Sequence, residues 1–202
     1  MAAPLTRADL MGLEQYAQQR NDFRERVIAH KKHRRVSIGL HTGSGQAQGL
    51  FLYFEDRLTI QYQIQEMLRI EKIFEAAGIE EELETYNPLI PDGRNLKATA
   101  MLEYQDVEER RQQLVLLKGI EDLVWLQIEG FEPVYAIANE DLERSNEQKT
   151  SAVHFMRFEL EPDMITALQS GATLTLGSNH EQYLHSTEVT AQTREALLAD
   201  LA

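Results

Sequence analysis

The sequence predicts an α+β fold, a mainly antiparallel sheet with helices packed on it. Three observations carry this. Apolar residues alternate with a period of two in several short segments, others recur at helical spacing, and glycine-rich joins between neighbouring strand segments favour hairpins over the long crossovers of a parallel sheet. The chain has 202 residues, 43% of them apolar, which suits one core of ordinary domain size. It reads as a single domain over 1–202, with an N-terminal helical segment at 1–34, an α+β core at 35–178 and a C-terminal helix at 191–201. No proline-rich or serine-rich linker divides it.

Taken in order, Thr6 with Asp9 three positions on has the form of a capping box, and Leu10, Leu13 and Ala17 follow at helical spacing, which predicts a helix over 7–19. Phe23, Val27 and Ile28 predict a second short helix from about Asp22 into a basic block. Residues 35–40 and 50–54 alternate as strands and are expected to pair antiparallel across HTGSGQAQG, a join too long for a tight hairpin turn. Over 57–77 the pattern is mixed, but Ile60, Ile64, Met67, Ile70 and Phe74 step as a helix, with Asp56 as cap and Gly78 as stop. YNPLIPDG reads as a rigid loop. A strand at 97–104, a charged helix at 106–118 and strands at 122–129 and 133–138 come next. The polar stretch NEDLERSNEQK, 139–149, reads as a loop or an exposed helical turn. TSAVHFMRFEL, 150–160, is the strongest strand pattern in the chain. Pro162 opens a helix to about Ser170, TLTLG is a short strand, and a helix closes the chain.

The balance of 33 acidic against 20 basic residues, a formal charge of -13, disfavours nucleic acid and anionic membranes as partners. No apolar run approaches the roughly 18 residues that cross a bilayer. Arg7 and Asp9 interrupt the stretch a signal peptide needs, so the expected compartment is the cytoplasm. The chain has no cysteine, which excludes disulfides, thiol nucleophiles and an iron–sulfur cluster held by this chain alone. Against the acidic background, Arg20, Arg24, Arg26, Lys31, Lys32, Arg34 and Arg35 outweigh Asp22 and Glu25. Within that block His30, Lys31, Lys32, His33, Arg34 and Arg35 form a candidate anion site. The competing reading is a solvated basic face balanced by Glu80, Glu81, Glu82 and Glu84.

Polar residues in apolar settings supply a second set of candidates. Glu71 and Gln63 fall inside the apolar arc of the 57–77 helix, where a carboxylate must be paired, metal-bound or protonated, or else reach out at the helix edge. Glu66 flanks the arc and suits a surface pair with Arg69. His154 shares a strand face with Ala152, Met156, Phe158 and Leu160, the setting of a hydrogen-bonded core histidine more often than of a ligand or base. Arg157 and Glu159 lie on the opposite face, and Glu103 is placed to pair with Arg157 across the sheet. The expectation is that groups near 66–71 and 154–159 converge at one semi-enclosed spot.

Familiar signatures are missing or incomplete. The histidines of His30-x-x-His33 sit among cations that repel a divalent metal. His180, Glu181 and His185 miss the H-E-x-x-H spacing by one residue. In GSGQAQG a strand follows where a phosphate cradle needs a helix N-terminus. Ser151 and His154, three apart on a strand, face opposite ways and make a poor nucleophile and base. The sequence names no cofactor.

Several long blocks carry a resemblance: TRADLMGLEQY, IQEMLRIEKIFE, YNPLIPDG with LKATAMLEY after it, YAIANEDLERSNEQKTSAVHFMRFEL, and the closing helix. Together they resemble a bacterial family of about this length, catalogued as a domain of unknown function and often encoded beside rubrerythrin-like and iron–sulfur proteins. HTGSGQAQG is longer here than the usual hairpin connection of the family it resembles. The resemblance implies no catalytic residue. It implies a setting in oxidative-stress or redox metabolism, and it marks Glu66, Glu71, Asn87, Lys97, Glu103, Lys149, His154, Arg157 and Glu159 for mutagenesis. The leading expectation is an accessory or binding protein with a rubrerythrin-like or iron–sulfur partner. Its rivals are a metal-dependent enzyme or metalloprotein combining Glu71, Glu103 and His154 with an arginine such as Arg157, and phosphate or RNA binding through 24–35. Oligomeric state is left open.

Overall fold

The structure is a computed structural model describing residues 3–39, 48–140, 144–146 and 148–201. The Thr6–Asp9 capping box forms, but it starts only the single turn Arg7–Asp9. Helix α1 is continuous over Leu13–Lys31 where two helices were expected. Tyr16, Phe23 and Val27, spaced by seven and four, bury one unbroken face. Strands β1 (Arg35–Ile38) and β2 (Gly49–Phe54) pair antiparallel, Arg35 opposite Tyr53. Most of HTGSGQAQG lies outside the described residues.

Helix α2 covers Arg57–Ile70, and Asp56 caps it by accepting from the Thr59 N–H. It ends seven residues before the expected end at 77. Lys72 adopts the left-handed conformation (φ 56°) and the Ile73 N–H reaches back to the Leu68 carbonyl, a Schellman-type closure. A separate helix α3, Ala76–Tyr86, follows. Strand β3 (Asn95–Glu103), α4 (Val107–Leu116) and β4 (Val124–Ile128) match expectation closely. The strand expected at 133–138 is two, β5 (Val134–Tyr135) and β6 (Ile137–Ala138), because the chain passes from one sheet to the other at Ala136. After β7 (Val153–Glu159) and α5 (Pro162–Gln169), the short strand TLTLG is one arm of a hairpin of β8 (Leu174–His180) and β9 (Tyr183–Glu188). Helix α6 spans Ala191–Leu198.

The two antiparallel sheets have the orders β1-β2-β3-β7-β6 and β5-β4-β8-β9. Alternate residues of both, among them Leu52, Ala98 and Phe158 from one and Leu126, Leu174 and Leu176 from the other, belong to one core cluster, which α4, α5 and α6 also enter through Leu114, Leu168 and Leu197. The chain joins the sheets at Ala136. Across from that join, the Tyr183 hydroxyl donates to the Ile38 carbonyl (2.6 Å) and accepts from the Leu50 N–H (2.8 Å). A Cβ at Gly39 or Gly49, both at positive φ, would collide with that hydroxyl, so the β1–β2 hairpin requires glycine there. A smaller cluster of Leu5, Ile60, Ile64, Leu68, Leu83 and Ile90 holds the N-terminal segment, α2 and α3 together. Among the described residues no helix is long and apolar enough to cross a membrane.

Gly177 serves a different purpose. A Cβ there would run into the ring of Trp125, the one tryptophan, whose Nε1–H is held by Asn179 Oδ1 at 3.0 Å. Gly177→Ala is expected to lift the indole and cost about 1–3 kcal/mol, the range for overpacking, with a matching change in tryptophan fluorescence. An unchanged spectrum and unchanged urea midpoint would contradict this packing.

Candidate functional site

On its outer side, the five-stranded sheet carries a cleft of about 940 Å³ between the α3 end with its following loop and the segment after β6. The β3–β7 register sets Lys97 opposite Arg157 and Asn95 opposite Glu159. The Arg157 guanidinium is gripped on two sides. Nε and Nη2 donate to Glu140 at 2.8 and 2.7 Å, and Nη1 donates to Glu159. This fork holds the Glu140 carboxyl below its ordinary range. Asn95 Nδ2 donates to the same Glu159 oxygen at 2.9 Å. Lys97 Nζ donates to the carbonyls of Pro88 (2.6 Å) and Ile90 (2.9 Å), pinning the NPLIPDG loop to the sheet. Burial lowers the Lys97 ammonium. Arg144 lies over the Phe155 ring, 4.5 Å from its centroid.

Behind β7, on the core side, His154 belongs to a different set of groups. Its Nε2 lies 3.0 Å from the Ser151 carbonyl and 2.8 Å from Thr150 Oγ1, and its Nδ1 lies 3.0 Å from Asn139 Nδ2. A carbonyl only accepts, so Nε2 carries the proton and Nδ1 accepts from the Asn139 amide. Burial lowers the imidazole, in keeping with that neutral form. Glu121, 5% exposed, accepts from Thr150 Oγ1 at 2.8 Å and from Ser145. Burial alone would raise its carboxyl, but these donors and the histidine hold it below its ordinary value. A second hollow of about 740 Å³ opens over Glu121, Asn139 and Ser145. Asn139 is itself left-handed (φ 57°), and the adjacent Glu140 grips Arg157 on the other side of the sheet.

The remaining candidates stand elsewhere, so the expected convergence of 66–71 with 154–159 is not found. Glu66 ties α2 to α1 through Tyr16 Oη (2.7 Å) and a two-point contact with Arg20 (2.7 and 2.8 Å), besides Arg69. The Arg20 contact above all brings its carboxyl down to about 2. Glu71 caps the C-terminus of α2 and is exposed, because the helix stops before the apolar arc reaches it. Glu103 accepts from Tyr53 Oη at 2.6 Å and pairs with Gly49, six residues along β3 from the Lys97–Arg157 position. It therefore does not meet Arg157, and Glu71, Glu103 and His154 do not form one set. Among the described residues no group of three or more His, Asp or Glu side chains is placed to hold a metal ion.

The basic block is divided as well. Arg34 is buried, paired with Asp200 and near Asp56, and Arg35 stacks on Phe51 and donates to Tyr53 Oη. His30 contacts Asp56 at 2.5 Å, His33 faces Gln192, and Lys32 points to solvent with Lys31 half-buried. Asn87 bonds both backbone groups of Leu5, while Lys149 is exposed. Sequence reasoning missed Asn95, Glu121, Asn139, Glu140 and Thr150. The one signal for Asn139 and Glu140 was the polar run 139–149 just before the strongest strand, whose pattern Thr150 opens.

A family model described as protein of unknown function (DUF3501) matches residues 4–201. A crystal structure of a novel protein of unknown function from Burkholderia pseudomallei K96243 is 49% identical, covering 99% of this chain and 100% of its own, with a TM-score of 0.90. No curated protein matches the chain.

Proposed function

The chain belongs to the DUF3501 family of proteins of unknown function, and on that premise we propose that it is a binding protein whose ligand site is the cleft over β3 and β7. The observation that carries this is the clamp on Arg157: Glu140 and Glu159, from separate segments, hold its guanidinium from two sides. Lys97 fixes the opposite wall by its two carbonyl bonds. A cleft with its polar groups already ordered loses less on binding than one that must assemble around its ligand. Its size is that of ligand pockets generally. Phe155, Ile137 and Leu89 beside charged groups of both signs suit an amphipathic ligand, a segment of a partner protein. The partner we favour is a redox protein of the rubrerythrin-like or iron–sulfur kind, supported by the gene neighbourhood of the resembling family.

Affinity purification with the full chain as bait tests this. The native chain is expected to recover an iron-containing partner, and Phe155→Asp and Arg157→Ala are each expected to recover about tenfold less or worse. Equal recovery by native and variant baits would remove the cleft from the reading. A cleft-dependent partner without iron would remove the redox part alone.

A further inference from the structure

Two exposed apolar patches of opposite charge lie at opposite ends of the helical layer. At the C-terminal end of α1, Ile28 is 55% exposed. Exposed Arg24 and Lys32 flank it at four-residue spacing, with Lys31 one turn on and exposed Glu25 one turn back on the same side, so the face is net positive. Beyond the end of α2, Ile70 and Phe74 are 59% and 73% exposed amid exposed Glu71, Lys72 and Glu75, with Glu81 and Glu82 of α3 near Glu71, so the patch is acidic on balance. Burial and the neighbouring Glu71 and Glu81 carboxylates raise Glu82, which marks the crowding of like charge there.

The two patches are held apart. Glu66 binds Arg20 and Tyr16 near the start of α1, and Asp56 meets His30 near its end, so α1 and α2 run antiparallel. The 14 residues of α2 separate the patches by about 20 Å at 1.5 Å per residue. A single molecule cannot bring them together.

We propose that the Arg24–Ile28–Lys32 face of one copy docks against the Ile70–Phe74 patch and its surrounding glutamates on a second copy. The charges match in sign, and each patch offers apolar surface at its centre with ions around it, the usual arrangement of an interface. A net charge of -13 makes two copies repel in most orientations, so the basic face is where an acidic patch of the same chain finds attraction. The patches are small, and the association is weak and reversible.

Sedimentation velocity on the full chain tests it. The native protein is expected to move from monomer to dimer or larger as its concentration rises from about 5 to about 500 µM, a range set by a contact of this size. Arg24→Glu with Lys32→Glu makes both patches acidic, and Glu71→Lys with Glu75→Lys makes both basic. All four positions are exposed, so circular dichroism should match the native spectrum. Each double variant alone should stay monomeric about tenfold higher in concentration, and an equimolar mixture should associate again, because every contact between the two variants is once more of opposite sign. A native chain that remains monomeric throughout, as it would if a different protein covered these patches, overturns the proposal. So does a mixture that stays monomeric.

Discussion

Arg34→Met is expected to destabilise the protein by about 3–5 kcal/mol, the range for removing one partner of a buried ion pair. Arg34 is 2% exposed, and its guanidinium joins three distant parts of the chain. Nε donates to the Phe54 carbonyl (3.2 Å) and Nη1 to that of Ala196 (2.8 Å), while Nη2 serves the Glu55 carbonyl (3.3 Å) and Asp200. The α1–β1 junction, the end of β2 and the last helix are thereby fastened together. Methionine fills much of the volume and supplies none of the donors, so three carbonyls and a carboxylate lose their partner at once. Burial already holds Asp200 at about 6 in spite of Arg34, and without the arginine it moves further from ionisation. Arg34→Lys should fall between, because an ammonium cannot reproduce the planar fork. Urea denaturation at neutral pH measures the effect, and a loss under about 1 kcal/mol would show that Arg34 is not the fastening described.

The same residue shows what the sequence made legible and what it hid. HKKHRR reads as one cationic run, but composition cannot tell which members turn inward. Arg34 turns inward because Asp200, 166 positions later, is waiting, and nothing local announces that pairing. Helix ends behave likewise. Gly171 closes α5 (φ 103°) where the sequence placed a stop, since glycine signals its own left-handed preference. Lys72 does the same for α2 without any such signal, so the predicted helix ran on through Phe74 and put Glu71 on the wrong part of the surface. The strand face of Lys97, Arg157 and Glu159 was readable from a period of two. Glu140 lay in a polar run with no periodicity, and only the pairing of β6 with β7 delivers it to Arg157. The sheets followed from alternation, but the crossing at Ala136 did not, because a strand that changes sheets keeps an ordinary strand pattern.

The network behind β7 predicts a stability that declines on acidification. Both of its titrating groups act in the same direction. His154 lies below its ordinary 6.5 because it is buried, so its contribution is complete above about pH 6.5 and is lost as pH falls from there toward its folded value. Glu121 lies below its ordinary 4.5, so its contribution is complete above about pH 4.5 and is lost as pH falls through its folded value. One proton taken up on unfolding gives a slope of about 1.4 kcal/mol per pH unit, and the histidine segment comes first. His154→Gln should be less stable at pH 7 by about 1–3 kcal/mol, the cost of disturbing a buried hydrogen-bonded group, yet flatter than the native protein just below pH 6.5. Urea midpoints at half-unit steps from pH 8 to 5 distinguish the two curves. Parallel curves would mean that His154 takes up its proton equally in the folded and unfolded states, and would sink the buried neutral imidazole. Because Asn139 on His154 and Glu140 on Arg157 are consecutive residues, a His154→Gln chain that keeps its fold should also lose part of its cleft-dependent partner recovery. Full retention would show that the clamp on Arg157 stands without the network beneath it.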